Sequence, residues 1–284
     1  MDISVKAYAK LNITLDVLGK RTDGYHEMKM IMQTVALSDD IEIKTEIGGG
    51  ISVRTDLKFL PCDERNIVYK AAMSFARETG IDYDGISFDI KKNIPVCAGM
   101  AGGSADAAAV LKGLDALYGT ELGNEKLMKL GLELGADVPY CIMGGTALAE
   151  GIGEILTPLK PIPHCWVLIA KPPFSSSTPV VFSKFDCVKT VHRPDTDGVI
   201  KALEEGNLAE IGRRMYNVIE PVVAKERREI EQLKVALISN GALGAALSGT
   251  GSTVFGVFAA KEEAELAKRN MDGCGSRLIV TETV

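Results

Sequence analysis

No apolar run in this chain approaches the roughly 20 residues a membrane-crossing helix needs, so a helical span is not expected. The N-terminus shows no charged-then-apolar leader pattern. A basic excess is also missing. Lys and Arg number 32 against 38 Asp and Glu, a formal net charge of −6, which argues against a general binder of nucleic acid or anionic membrane. A small anionic substrate needs only one local cationic pocket and stays open. Histidine occurs three times, and the six cysteines (Cys62, Cys97, Cys141, Cys165, Cys187, Cys274) form no C-x-x-C pair and have no neighbouring histidine cluster. Free thiols in a reducing cytoplasm are expected over disulfides or structural zinc. Internal repeats and low-complexity tracts are lacking.

What is present is an ordinary globular composition, 46% apolar and 25% charged over 284 residues, enough for one large domain or two modest ones. Alternating apolar residues predict strands over 3–9 and 11–18, with Lys10 between the two pieces, then over 28–37, 40–46, 51–54 and 86–92. Helical spacing predicts helices over 66–79, 106–118 and 125–134, each stopped by a glycine. A strand follows over 144–150, and three prolines within 158–163 suggest a boundary. Beyond it come a buried-type strand (166–170), a loop (171–178), a helical region (197–239) with breaks at Asn207 and Pro221, strands over 242–247 and 253–258, a helix over 260–269 and a closing strand over 276–281. Strand and helix runs segregate without strict βαβ alternation, which predicts an α+β architecture in two layers.

The chain is organised around Pro95-Val96-Cys97-Ala98-Gly99-Met100-Ala101-Gly102-Gly103-Ser104-Ala105. The order strand, glycine-rich loop, helix start places backbone N–H groups at the positive end of a helix, where phosphate binds well. The loop has no Gly-Lys-Ser/Thr ending and is not a G-x-G-x-x-G fingerprint with an acidic partner, so glycine spacing alone leaves a plain tight turn equally open. Ser104 is a candidate N-cap, or a hydroxyl for phosphate or metal. Lys10 either snorkels to water or is held by its apolar surroundings. Asp137 lies in a small apolar segment closed by Pro139 and reads as an N-cap or as a base or metal ligand. Tyr25 and His26 stand in a turn-rich loop, an unusual place for core residues.

Three separated segments together resemble the galactokinase, homoserine, mevalonate and phosphomevalonate (GHMP) kinase superfamily: Lys10-Leu11-Asn12, the loop 95–105, and Leu247-Ser248-Gly249-Thr250-Gly251-Ser252. Ala9-Lys10-Leu11-Asn12, Arg21-x-Asp23-Gly24-Tyr25-His26, Gly135-Ala136-Asp137-Val138-Pro139 and Glu150-Gly151-Ile152-Gly153-Glu154 are similar to the branch acting on a cytidyl-diphosphate methylerythritol in the non-mevalonate isoprenoid route. The departures are Met100 for a usual leucine, Ala105 for a frequent second serine, and Cys97 where small residues are typical.

The resemblance implies an ATP-binding domain over 1–160 and a substrate domain over 161–284 with a cleft between them. It implies transfer of the γ-phosphoryl of ATP to a tertiary 2-hydroxyl. Loop residues 95–105 would hold ATP, with Mg²⁺ accompanying it and Ser104 the candidate contact. Asp137 would be the base with Lys10 beside it, and Asn12, Gly249, Thr250 and Gly251 would line the acceptor side. Tyr25 and Phe182 would stack on the cytosine and His26 would meet its edge, Phe174 and Phe185 being the other rings nearby. A small-molecule partner, no nucleic acid or membrane, and a monomer or weak homodimer are expected. The rival readings are another GHMP small-molecule kinase (homoserine, mevalonate or sugar) and a non-catalytic ligand sensor of the same fold.

Overall fold

The computed structural model describes residues 2–190 and 192–284. In chain order the elements are β1 (Asp2–Lys20), β2 (His26–Thr45), β3 (Gly50–Thr55), α1 (Ile67–Thr79), β4 (Gly85–Lys91), α2 (Gly102–Tyr118), α3 (Gly123–Leu134) and α4 (Val138–Met143). Then come β5 (Thr146–Gly151), β6 (Ile155–Pro158), β7 (Trp166–Lys171), α5 (Thr178–Phe185), α6 (Thr196–Glu205), α7 (Leu208–Arg214) and β8 (Tyr216–Asn217). The last six are α8 (Glu220–Glu226), α9 (Glu229–Ser239), β9 (Gly244–Leu247), β10 (Val254–Phe258), α10 (Lys261–Asn270) and β11 (Arg277–Glu282). The class is the α+β expected.

The chain forms two compact units that interleave. The first takes residues up to Ala9, Leu37–Pro95 and Ala101–Gly144; the second takes Lys10–Ala36, Val96–Met100 and Gly145–Val284. The division therefore does not fall at one point near residue 160, because β1, β2 and the glycine-rich loop each contribute to both units.

In the first unit β3 runs parallel to β4, and β4 pairs antiparallel with the second half of β2 (Ile41 opposite Ile90). Ile41, Ile43, Phe88, Phe75, Val110 and Leu114 are buried between this sheet and its helices. Asn66 caps α1, its side chain accepting from Val68 N–H, and Gly80 ends that helix in the left-handed region. In the second unit the latter half of β1 pairs parallel with β8, the first half of β2 pairs antiparallel with β5, and β5 with β6. A second sheet of order β11-β7-β10-β9 is antiparallel throughout. All five residues of β10 are buried, the mark of a strand covered on both faces.

The two pairs of strands expected at the N-terminus are in fact one long strand each. Lys10 does not interrupt β1, because its stem and ammonium are buried with a partner. Asp39 does not interrupt β2, because its carboxylate accepts from Asn93 N–H (2.5 Å) and Ile94 N–H (2.8 Å). Helix α2 starts at Gly102 and not at residue 106, and α4 and α5 appear where no helix was expected. Asn207 does cap α7, and Pro221 stands in the first turn of α8. All six cysteines are free.

Candidate functional site

Three segments distant in sequence meet inside the second unit. Lys10 N–H donates to Met100 O (3.2 Å), Thr253 N–H to Ala98 O (3.2 Å), and Ser248 Oγ to Gly99 O (2.8 Å). Residues 96–100 of the glycine-rich loop are thereby tied to β1 and to the turn between β9 and β10. Gly99 is required there: its φ is +78°, and a Cβ would stand 2.0 Å from Ser248 O.

Lys10 is 4% exposed, so the snorkelling reading does not hold. Its Nζ donates to Asn12 Oδ1 (2.7 Å), the same oxygen that accepts Gly249 N–H (3.0 Å). Asn12 Nδ2 in turn lies 3.2 Å from Met30 Sδ. One buried amide oxygen thus locates both an ammonium and the second glycine turn. Asn217, fully buried, braces that turn from behind by donating to Leu247 O (2.8 Å) and Gly249 O (2.7 Å) while accepting Ile219 N–H. Glu220 accepts Leu247 N–H (2.8 Å) and pairs with Lys234; burial pushes its carboxyl upward despite that ammonium. Thr250 Oγ1 lies 3.0 Å from Thr178 Oγ1, which ties the turn to the start of α5.

The aromatic group of the same unit is arranged differently from the expected pair. Phe182, on α5, stacks on His26 with ring centroids 4.5 Å apart and planes 18° apart. Tyr25 is 59% exposed on a loop closed by Arg21 N–H to Tyr25 O (2.8 Å). Of the other two rings, Phe185 is buried and Phe174 lies beneath the Arg227 guanidinium. His26 Nε2 is 2.6 Å from Asp186 Oδ1, and Lys20 Nζ donates to Asp186 Oδ2 (2.6 Å).

In the first unit, α2 begins from Ala101 in the left-handed region (φ 56°), with no side-chain cap and no acid in its first turn. An uncapped helix start suits an anion. Ser104 is not the cap but the third residue of the helix, and its Oγ lies 4.0 Å from where a Cβ on Gly135 would be. That places Ser104 beside the segment carrying Asp137. Asp137 occupies the N-cap position of α4 in right-handed backbone, and its side chain makes no cap bond. Val138, Pro139, Tyr140 and Ile142 bury the helix behind it, against a Gly131 whose Cβ would stand 2.7 Å from Val138. The carboxylate is therefore half-buried and not used for capping.

Six charged or polar residues of these clusters were not singled out from the sequence: Asp39, Lys92, Asp106, Asp186, Asn217 and Glu220. Lys92 Nζ donates to Asp39 Oδ2 (2.5 Å) and Asp106 Oδ2 (2.6 Å) under the first turns of α2. Burial depresses the Lys92 ammonium, but Asp106 and Asp39 outweigh it and hold it above its usual range. Burial pushes the Asp106 carboxyl up to about 7, opposed by Lys92 and helped by Asp39. An acid set among alanines in α2 was the one local signal for this group; the partners are 14 and 53 residues apart. Among the described residues no three His, Cys, Asp or Glu side chains gather as a metal cage.

The chain matches the family models "GHMP kinases N terminal domain" over residues 66–145 and "GHMP kinases C terminal" over 199–276. It is 50% identical to a 4-diphosphocytidyl-2-C-methyl-D-erythritol kinase of Lachnoclostridium phytofermentans, covering 93% of this chain and 91% of that one. The enzyme of the same name from Caldicellulosiruptor saccharolyticus is 46% identical, over 98% and 96% of the two chains. A crystal structure of a 4-(cytidine 5'-diphospho)-2C-methyl-D-erythritol kinase superposes with a TM-score of 0.83 at 28% identity, covering 100% of this chain and 99% of that one. A homoserine kinase from Cytophaga hutchinsonii shares the fold, with a TM-score of 0.78 at 20% identity over 100% and 94%. This chain belongs to the GHMP kinases and, within them, to the 4-diphosphocytidyl-2-C-methyl-D-erythritol kinase family.

Proposed function

We propose that the protein transfers the γ-phosphoryl group of ATP to the 2-hydroxyl of 4-diphosphocytidyl-2-C-methyl-D-erythritol, giving the 2-phosphate and ADP for non-mevalonate isoprenoid precursor synthesis. The observation that carries this reading is the buried junction of Lys10, Asn12, residues 96–100 and the 248–253 turn, which joins all three motifs of the family.

Phosphoryl transfer needs in-line positioning and compensation of spreading negative charge more than covalent help. The loop 95–105 and the open start of α2 supply N–H donors for the nucleotide phosphates. A Mg²⁺ carried by the nucleotide would supply charge compensation for the phosphates, and Ser104 would offer it a hydroxyl. Asp137 takes the proton of the acceptor hydroxyl, and Lys10 is its cationic partner in the same step. Asn12 and Gly249-Thr250-Gly251 line the acceptor side. Phe182, His26 and the exposed Tyr25 form the aromatic surface for the cytosine, where stacking on a ring is worth about 1–3 kcal/mol. In this reading the nucleotide is held by the loop 95–105 with the start of α2, and the acceptor by Asn12, Tyr25, His26, Phe182 and the 249–251 turn. The enzyme works in the cytoplasm as a monomer or weak homodimer on small molecules alone; no helix among the described residues is long and apolar enough to cross a membrane.

The test is ADP release with ATP and Mg²⁺ against the cytidyl acceptor, mevalonate, homoserine and galactose, with wild type and Asp137→Asn. Turnover of the cytidyl acceptor alone, reduced about 10²–10⁴-fold in the variant, is expected. Turnover of a different acceptor would overturn the substrate, and near-normal kcat in Asp137→Asn would remove the base.

A further inference from the structure

We propose that Asp186 is the positioning residue for base selection: it holds His26 in the tautomer whose Nδ1 accepts a hydrogen bond, so that the subsite takes an amino-bearing pyrimidine, cytosine, and disfavours its keto counterpart, uracil. This rests on the reading of His26 and Phe182 as base contacts.

Two restraints fix the imidazole. The stack on Phe182, 4.5 Å between centroids and 18° between planes, sets the plane of the ring. The 2.6 Å contact from Nε2 to Asp186 Oδ1 sets its rotation within that plane. The His26 side chain is 9% exposed and that of Asp186 25%, so the imidazole itself is largely shielded from water. Asp186 has its second oxygen occupied by Lys20 Nζ (2.6 Å). Lys20 first, and His26 after it, hold the Asp186 carboxyl below the usual carboxylate range. At neutral pH the group is ionised and can only accept.

The hydrogen of a neutral His26 therefore lies on Nε2, and Nδ1 is left with its lone pair. A ring nitrogen acceptor pairs with the exocyclic amine of cytosine. It meets the corresponding carbonyl of uracil lone pair to lone pair. A site built to bond one polar group rejects an analogue lacking it far more strongly than a purely apolar pocket does.

An asparagine at 186 inverts the arrangement while keeping its shape. Lys20 can bond only the amide oxygen, which turns the amide NH₂ toward Nε2. Nε2 must then accept, the hydrogen moves to Nδ1, and the edge offered to the base becomes a donor.

The experiment compares wild type, Asp186→Asn and His26→Ala with the cytidyl acceptor and its uridine-diphosphate counterpart at saturating ATP, together with nitrogen NMR of the His26 ring. For Asp186→Asn the expected result is a loss of about tenfold or more in kcat/KM for the cytidyl acceptor. A narrowed cytidyl-to-uridyl ratio, an unchanged KM for ATP and transfer of the ring hydrogen from Nε2 to Nδ1 should accompany it. Equal losses on both acceptors with the tautomer unchanged would reduce Asp186 to a structural contact and overturn the proposal. If His26→Ala collapses the ratio while Asp186→Asn does not, the role of Asp186 alone falls. If His26→Ala leaves the ratio at its wild-type value, the base-contact reading falls and this proposal with it.

Discussion

At the scale of single residues, the chain carries several charges where water cannot reach them, and each is tolerable only through named partners. Lys10 has Asn12, Lys92 has Asp39 and Asp106, and Glu220 has Lys234 and Leu247 N–H. Asp106 is the least compensated, because its Oδ1 is buried with no hydrogen-bond partner. Its carboxyl is pushed up to about 7, chiefly by burial, well above the usual carboxylate range. The folded chain therefore binds a proton there more tightly than the unfolded chain does. The stabilisation from that proton is complete below the unfolded value and is lost as pH rises toward the folded one. Stability should fall between about pH 4 and pH 7 from this group, with a slope approaching about 1.4 kcal/mol per pH unit. Asp106→Asn keeps an oxygen for Lys92 and cannot ionise, so its urea-unfolding free energy should lose that slope. An unaltered pH dependence in the variant would mean that Asp106 is ionised throughout.

At the scale of elements, the glycine-rich loop works because a backbone can approach another backbone without a side chain between them. Gly99→Ala would force a Cβ to within 2.0 Å of a main-chain oxygen in a φ +78° conformation. The left-handed backbone costs about 1–2 kcal/mol and the collision adds about 1–3 kcal/mol. The expected outcome is a lower Tm together with a raised KM for ATP, because the loop must leave the 248–253 turn. A variant with wild-type Tm and KM would show that the two segments do not depend on each other. Much of this level was legible in the sequence. Helices α1, α2 and α3 follow from 3.6-residue spacing and a terminal glycine, and the strands from alternation. Helix α4 was not, because six residues of Val-Pro-Tyr-Cys-Ile-Met are apolar all round and show no stripe. Helix α5 was hidden behind Pro-Pro-Phe-Ser-Ser-Ser, which reads as loop and ends one residue before the helix begins. The three motif segments could be located, but the bonds among them could not. A hydrogen bond across 237 residues, as between Asn12 and Gly249, leaves no trace in local spacing.

At the scale of the whole molecule, what folds together is not what is contiguous. The prolines at 158–163 mark a change in composition, yet the second unit draws on Lys10–Ala36 and Val96–Met100 as well as on everything after Gly145. Within it β8 has β1 as its parallel neighbour, β5 pairs with β2, and Cys165 N–H reaches Thr283 Oγ1 near the C-terminus. A fragment beginning at residue 161 keeps the sheet β11-β7-β10-β9 but loses β1, which is the strand partner of β8, and with it the Asn12 Oδ1 that receives Gly249 N–H. It also leaves Thr253 N–H and Ser248 Oγ without the loop carbonyls they meet in the intact chain. Buried polar groups stripped of their partners cost about 1–3 kcal/mol each, and a domain's whole stability is only about 5–15 kcal/mol. Residues 161–284 expressed alone should therefore show no cooperative thermal transition and poor dispersion of amide resonances, whereas the full chain unfolds cooperatively. A fragment that melted sharply near the Tm of the full chain would mean that the N-terminal strand segments are accessories to the second unit.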